Sequence, residues 1–284
     1  AVVTANLCDQ LVALLRHRPF DPLEFSNESF GAVLVLLLPA SVSYYVVIVS
    51  VAVAVLVGKE AFGGLGCYPF HPTAVGYAVA AVSWPEQVFS FPQPGTWLPV
   101  VNAGSAGLMQ SASYTLKNGG TPRIDTLNLM LGNYVGPMGA TAVVILVACA
   151  LLLAVRRRIQ WDVALPFLAA CFVIAWLFPR MGRVGLALPW VKAPVRLASV
   201  GYELCSGTIL YTGIFMLSDP AILPRHRAAR VAFGLTLGVV SMLYRYYGSY
   251  ETGVCFAMIL VGSFASAFDR LHLRWLDRKE ALNQ

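Results

Sequence analysis

The stretch "KEAFGGLGCYPFHPTAVGY", residues 59–77, joins two apolar segments and is dense in helix breakers. It contains four glycines and two prolines, and its clearly polar side chains are Lys59, Glu60 and His71. Two interpretations are open for its glycine cluster, which consists of Gly63, Gly64 and Gly66. Either the glycines let the backbone approach a neighbouring helix or a ligand closely, or they form a tight cytoplasmic turn.

The composition of the whole chain predicts a membrane protein. Its 284 residues are 58% hydrophobic and 12% charged, and the mean hydropathy is +0.69. A soluble domain carries about a quarter charged residues. The net charge is +6, but the positive residues form short clusters between apolar runs, which is typical of topology signals and argues against nucleic-acid binding.

Hydropathy divides the chain into long and short apolar segments. A membrane-spanning helix needs about 20 apolar residues, and the candidates, some only with their flanks, are 44–58, 73–84, 140–155, 163–178, 231–244 and 252–268. Two further runs, 31–38 and 207–218, are too short to cross alone. They end at Pro39 and at Asp219-Pro220, because proline cannot continue a helix.

Arginine clusters predict the orientation of these segments. The run Arg156-Arg157-Arg158 lies in a short connection, which we place in the cytoplasm, and counting crossings then places 89–136 outside. The two short runs cross in opposite directions in this scheme. We interpret the chain as one membrane domain, 1–284, with an inverted repeat of broken or re-entrant helices. Its parts are a first repeat at about 1–155, a second at about 156–270 and a cytoplasmic tail, 271–284.

Four segments resemble, in the same order, motifs of one family. They are "GKEAFGGLGCYPFHPTAVGYAVAAVSWPEQ" (58–87), "LGNYVGPMGATAVVILVACALLL" (131–153), "SGTILYTGIFMLSDPAILP" (206–224) and "YRYYGSYETGVCFAMILVGSFASAFDR" (244–270). The family comprises the RnfD proteins of Rnf-type ion-translocating electron transport complexes and the NqrB proteins of sodium-pumping NADH:quinone oxidoreductase. The resemblance implies an all-α polytopic fold similar to that of urea transporters. The chain begins after the family's first helix or two, so we expect upstream residues.

The resemblance also implies flavin cofactors. Family members carry FMN on the last residue of a D-x-x-S/T-G-A-S/T motif and hold riboflavin without a covalent bond. The corresponding segment is "GLMQSASYTL" (107–116), in which Ser113 aligns with the modified residue, while Gly107 replaces the acid. We therefore predict FMN on Ser113, with Tyr114 beside the ring, and riboflavin between the repeats near the glycine cluster.

Three ionisable residues are candidates for an ion pathway: Asp219, Arg245 and Glu251. An ionisable side chain within the membrane is by default a functional candidate. Asp219 either binds a cation or closes the end of a short helix, and Glu251 either belongs to the pathway or is a helix-terminal charge. Arg245 either pairs with one of these acids or extends to the membrane surface. We predict no metal site.

The resemblance implies a membrane component of a redox-driven Na⁺ or H⁺ pump, a translocase of the ferredoxin:NAD oxidoreductase type that is not catalytic alone. Its partners would be the A, B, C, E and G subunits, which supply iron–sulfur clusters, and the lipid of a prokaryotic cytoplasmic membrane that the chain crosses several times. Two alternatives are open: a solute channel similar to urea transporters, and a scaffold protein without redox chemistry. Flavin absorbance separates the pump from both.

Overall fold

Apart from one short ribbon, the regular structure of the computed structural model is helical. The structure describes residues 1–17, 24–95, 108–122, 124–181, 193–248 and 252–282. The first helices are α1 (Val2–Leu15), α2 (Ser26–Leu37), α3 (Tyr44–Val53), α4 (Pro72–Ser83), α5 (Pro85–Val88), α6 (Ala112–Lys117) and α7 (Thr126–Leu131). The remaining helices are α8 (Val143–Val155), α9 (Trp161–Leu177), α10 (Ala193–Cys205), α11 (Thr208–Ile214), α12 (Arg227–Tyr247), α13 (Val254–Gly262) and α14 (Ala265–Leu282). The ribbon pairs β1 (Phe91–Pro92) with β2 (Leu108–Met109) in antiparallel fashion.

Continuous and broken helices alternate along the described residues. Helix α3 continues through a π-helical turn, Ala54–Lys59, and a 3₁₀ turn, Glu60–Phe62. The resulting element, Tyr44–Phe62, is long and apolar enough to cross a membrane. Two bent pairs reach that length only as pairs: α10 with Thr208–Ser218, bent by 59°, and α13 with Ala265–Leu276, bent by 51°. By length and composition the described residues thus supply one to three candidate spans.

The two short apolar runs end where their prolines predict. Helix α2 ends at Leu37, two residues before Pro39. Helix α11 is followed by a 3₁₀ turn that ends at Ser218, directly before Asp219. The carbonyl of Leu36 accepts a hydrogen bond from the amide of Gly139 at 2.7 Å. A broken helix leaves carbonyls without intrahelical partners. The amide of Gly139 therefore takes the place of the amide that a further turn of α2 would have donated to Leu36.

The two short helices contact each other. The hydroxyl of Tyr211 on α11 donates to the carbonyl of Val33 on α2 at 3.0 Å. The surroundings of this bond belong to the main apolar core: Leu34 and Tyr211 are at most 1% exposed. The two broken helices therefore meet within the main apolar core.

Glycines permit the closest helix contacts. A Cβ atom at Gly76 of α4 would lie 2.5 Å from the carbonyl oxygen of Ser50 on α3. On α12, Cβ atoms at Gly234 and Gly238 would lie 2.5 Å and 2.7 Å from carbonyl oxygens of α9. This G-x-x-x-G spacing is a helix-packing motif of membrane proteins, where small residues let backbones approach. The close contact of α12 with α9 is thus possible because glycine has no side chain at these two positions.

Large apolar side chains cover much of the exposed surface. Helix α8 buries only Val143 and Leu146 among its residues, while Ile145, Leu151 and Val155 are at least 64% exposed. A helix whose outer face is this apolar is typical of contact with lipid. The tail predicted to begin at 271 is helical and continues α14 to Leu282.

Candidate functional site: two ion clusters and a hydroxyl-lined cavity

A buried ion cluster, the Arg245 cluster, joins Arg180, Glu203, Ser206 and Arg245. Glu203 is fully buried, and its carboxylate accepts hydrogen bonds from Arg180 Nε at 2.6 Å and Nη2 at 2.7 Å. Arg245 Nε donates to the same carboxylate at 2.6 Å. A second nitrogen of Arg245 lies 3.5 Å from the hydroxyl of Ser206. Two guanidinium groups therefore share one carboxylate, with the bidentate geometry that gives Arg–carboxylate pairs their specificity.

A second ion cluster, the Lys59 cluster, joins Arg16, Glu24, Ser26, Lys59 and Glu60. Lys59 is 1% exposed, and its Nζ donates to Glu24 Oε1 at 2.5 Å and to the hydroxyl of Ser26 at 2.8 Å. Glu60 lies 3.6 Å from Lys59 Nζ and 3.6 Å from a guanidinium nitrogen of Arg16. The buried ammonium group is thus compensated by two carboxylates.

The two clusters match in construction. In each, a cation near the end of a long helical element bonds to a glutamate and a serine at or just before the start of a short helix. Lys59 ends the π-helical turn that follows α3, and Glu24 and Ser26 stand at the start of α2. Arg245 lies in the last turn of α12, and Glu203 and Ser206 precede α11. Each ion pair therefore fixes the start of a broken helix to the end of a neighbouring long one.

Asp219 does not pair with Arg245, so that part of the expectation was wrong: Arg245 bonds to Glu203 instead. Asp219 accepts a hydrogen bond from the hydroxyl of Tyr68 at 2.6 Å and from the amide of Ala221 at 3.0 Å. The second bond caps the 3₁₀ turn Pro220–Ile222. Asp219 thus caps the turn that follows the second short run, and its binding of a cation stays a prediction. Glu251 lies outside the described residues.

The surroundings of Asp219 come from both halves of the chain. Tyr68 follows the glycine cluster, and its ring packs edge-on against Phe30 of α2 at 5.8 Å between centroids. Phe30 also packs edge-on against His71 at 5.4 Å. His71 is 3% exposed, and its Nδ1 has no hydrogen-bond partner among the described residues. Tyr68 and His71 therefore contact Phe30 of α2, and Tyr68 also bonds to Asp219, which follows the second short run.

The glycine cluster forms a turn with left-handed backbone geometry. Gly63, Gly64 and Gly66 have φ angles of 114°, 98° and 80°. A Cβ atom at Gly66 would meet nothing within 4 Å, and one at Gly64 would meet only the carboxylate of Glu60, at 3.8 Å. Within the described residues these glycines provide a conformation that other residues adopt at a cost, rather than space for a neighbouring backbone. Their contact with a flavin stays a prediction.

Ser113 lies in α6, which begins after Ser111, whose side chain accepts the amide hydrogen of Tyr114. Ser113 is 6% exposed, and its Oγ has no hydrogen-bond partner among the described residues. It lines a small cavity of about 10 Å³ together with Arg245 of the Arg245 cluster. A cavity of this size holds about one water molecule. A phosphoester on Ser113 does not fit this conformation, because the hydroxyl faces inward.

A wider cavity lies on the other side of α6. Its volume is about 330 Å³, and Ala112, Thr115, Asn128 and Tyr134 are among the residues that line it. Small-molecule sites have volumes of roughly 300–1,000 Å³, so this cavity is large enough for an aromatic ligand. Tyr114 does not line it and is 36% exposed. The FMN segment therefore borders two cavities, and Ser113 faces the smaller one.

Sequence reasoning missed Glu203, Arg180 and Glu24. Glu203 stands in "GYELCSG", directly before the short apolar run 207–218. An acidic residue beside a broken helix is the signal that identifies such a site. The pairing itself carries no local signal, because Glu203 and Arg245 are separated by 42 residues.

Apolar outer faces, paired broken helices and buried ion clusters define an α-helical membrane protein. The chain belongs to the NQR2, RnfD, RnfE family, whose model matches residues 1–274. This confirms the family that the four sequence segments indicate.

Individual relatives match almost the whole chain. It is 28% identical over 282 residues to the D subunit of an ion-translocating oxidoreductase complex from Alcanivorax borkumensis, a match that covers 95% of this chain and 80% of the relative. It is 24% identical over 279 residues to the D subunit of a proton-translocating ferredoxin:NAD(+) oxidoreductase complex from Clostridium ljungdahlii, covering 95% and 79%. The D subunit of an ion-translocating oxidoreductase complex from Escherichia fergusonii is 29% identical over 288 residues, covering 92% and 80%.

Proposed function

We propose that the chain is a membrane component of an ion-translocating oxidoreductase complex, crossing a prokaryotic cytoplasmic membrane several times. The names of its relatives and the family match support this assignment. The exposed apolar faces of helices such as α8 support contact with lipid. The A, B, C, E and G subunits of the complex are its partners and supply the iron–sulfur clusters.

The matched ion clusters are the observation that carries the mechanism. The proposal places the Lys59 cluster at the cytoplasmic side and the Arg245 cluster at the outer side of an inverted repeat. The two short helices enter from opposite sides and meet where Tyr211 bonds to Val33. Transporters built from inverted repeats bind ions where broken helices meet near the midplane. Each cluster holds one short helix in register with this meeting point.

We place Asp219 on the proposed ion pathway, because it lies at the break directly after the second short helical run. Its partners are a phenol and a backbone amide, with no cation among the described residues that bond to it. A carboxylate without a fixed counter-cation is available for Na⁺ or H⁺, in contrast to Glu203, whose two arginines occupy it. Arg245 then has a positioning role beside the pathway, and Glu251 stays a proposed member of it.

Flavin is the proposed redox group, and it supplies one- or two-electron transfer when bound. The wide cavity beside α6 has room for a non-covalent flavin such as riboflavin, and Thr115, Asn128 and Tyr134 offer polar groups to a ring. Covalent FMN on Ser113 requires the first turn of α6 to rotate its hydroxyl outward. The chain's own contribution is to enclose the ring and to exclude water from it.

The experiment that tests this function is a flavin analysis of the purified complex. We expect a flavin absorbance spectrum, and flavin in the supernatant after denaturation. Thr115→Trp, which fills the wide cavity, is expected to lower flavin content severalfold, whereas Thr236→Trp on the exposed side of α12 is expected to leave it unchanged. A colourless complex refutes the redox assignment and favours the solute channel or the scaffold.

Gel fluorescence under ultraviolet light tests the covalent site separately. A fluorescent band after denaturation that disappears in Ser113→Ala supports FMN on Ser113. A complex whose flavin is all released refutes the covalent site and leaves the non-covalent one standing.

A further inference from the structure

Two hydroxyl-bearing residues that line the small cavity beside α6 have no hydrogen-bond partner for their hydroxyl groups among the described residues. Ser113 and Thr208 are among the residues that line it, and they are 6% and 2% exposed. Ser113 Oγ and Thr208 Oγ1 have no hydrogen-bond partner among the described residues. Leaving a buried hydroxyl without a partner is costly, and such groups in native proteins usually bond to a ligand or to ordered water. Two of them at one cavity indicate an occupant that accepts hydrogen bonds or donates them.

The charge at the cavity favours an acceptor. Arg245 lines it directly, and Gly207 lies against the guanidinium so closely that a side chain there would collide with Arg245 Nη1. In the Arg245 cluster two guanidinium groups share the single carboxylate of Glu203. Counted over the described residues, the cluster therefore carries a net charge of +1, in surroundings where buried charges are normally compensated.

The size of the cavity limits the occupant to one small species. Its volume of about 10 Å³ corresponds to about one water molecule, so only a single small species fits there. Phosphate and carboxylate ligands are too large, and a cation is disfavoured by the adjacent guanidinium. The hydroxyl hydrogens of Ser113 and Thr208 can rotate to donate to an anion.

We propose that this cavity binds one monatomic monovalent anion of the chloride class, held by Arg245, Ser113 and Thr208. The anion completes the charge balance of the Arg245 cluster and satisfies both hydroxyls. It stabilises the start of α11 against the end of α12. The site needs no redox step, and it is incompatible with a phosphoester on Ser113.

Halide-dependent stability tests the proposal. The thermal unfolding midpoint of the purified chain in detergent is measured in chloride, in bromide and in gluconate at equal ionic strength. We expect a saturable rise of the midpoint with either halide and none with gluconate. Thr208→Val and Ser113→Ala are each expected to weaken halide affinity about tenfold, the factor for losing one hydrogen bond to a charged group.

Ser241→Ala is the matched control. Ser241 is fully buried in α12, one turn before Arg245, and its hydroxyl also lacks a partner among the described residues, but it does not line the cavity. We expect this variant to keep the halide response of the parent protein. Equal weakening in all three variants would show that the effect is structural and would overturn the site.

Bromide also gives a direct readout that needs no variant. Crystals or frozen grids of the protein are expected to show density for an anion between Arg245 and Thr208, with an anomalous bromide peak in crystals. The proposal fails if the density in the cavity is no stronger than that of a water molecule and shows no anomalous peak. It also fails if the unfolding midpoints in halide and in gluconate are identical, because the cavity then holds water. Mass spectrometry that finds a phosphoester on Ser113 also overturns it, because the hydroxyl is then consumed.

Discussion

Replacing Glu203 by glutamine removes a charge without changing the shape of the side chain. The carboxylate is fully buried and accepts three hydrogen bonds of 2.6–2.7 Å from Arg180 and Arg245. In Glu203→Gln one of the two oxygens becomes an NH₂ group that faces a guanidinium donor. Arg245, which is 3% exposed, then has no compensating carboxylate among its described partners. Breaking a buried pair in this way costs about 3–5 kcal/mol.

The assay is thermal unfolding of the purified chain in detergent. A loss of this size lowers the midpoint by about 10 °C, since 1 kcal/mol corresponds to roughly 2–4 °C in domains of 150–250 residues. Glu86→Gln is the control, because Glu86 is exposed on α5, and surface changes usually stay within about 0.5 kcal/mol.

A double variant, Glu203→Gln with Arg245→Gln, is expected to be more stable than the sum of the two single effects predicts, since only Arg180, and no longer Arg245, then lacks its carboxylate partner. A shift below about 3 °C for Glu203→Gln alone would refute the reasoning that this carboxylate compensates the arginines.

Three further predictions concern orientation and packing. In a cysteine-free background, Arg157→Cys is expected to react with impermeant reagents only from the cytoplasm and Asn118→Cys only from outside; the reverse pattern contradicts the inverted repeat. Gly76→Leu is expected to destabilise the protein by about 1–3 kcal/mol or more, because its side chain would collide with the backbone of α3, whereas Gly201→Leu, which meets nothing within 4 Å, is expected to change the unfolding midpoint little. Gly64→Leu is expected to add about 1–3 kcal/mol of backbone strain and to leave complex assembly intact, and loss of assembly would instead indicate close approach to a partner.

Local physics explains which parts of the fold the sequence could predict. Helix α2 ends two residues before Pro39, and the turn after α11 ends directly before Asp219 and Pro220, because a proline prevents helix continuation wherever it stands. Apolar length predicted a span at 44–58, and the structure extends that element to Phe62. The family resemblance also rests on contiguous segments, and the match over residues 1–274 confirms it.

The candidate site was predicted less well, because its residues meet through packing. Arg245 was selected as an ionisable residue in an apolar region, but its partner is Glu203 and not Asp219. Lys59 bonds to Glu24, 35 residues earlier. Helix α6 lies between two cavities, and Ser113 lines the smaller one. The sequence of this hydroxyl-rich segment does not indicate which cavity Ser113 would line, because that depends on how α6 packs.

The membrane class, the family and the positions at which helices break could be predicted from the amino-acid sequence, since hydropathy, contiguous motifs and prolines act on neighbouring residues. Which charges compensate each other, and which hydroxyls lack partners, became known from the fold. Those properties depend on side chains brought together from distant segments, such as Arg245 of α12 with Glu203 of α10. A buried charge must find a partner wherever the packing allows one, and the packing is a property of the whole chain.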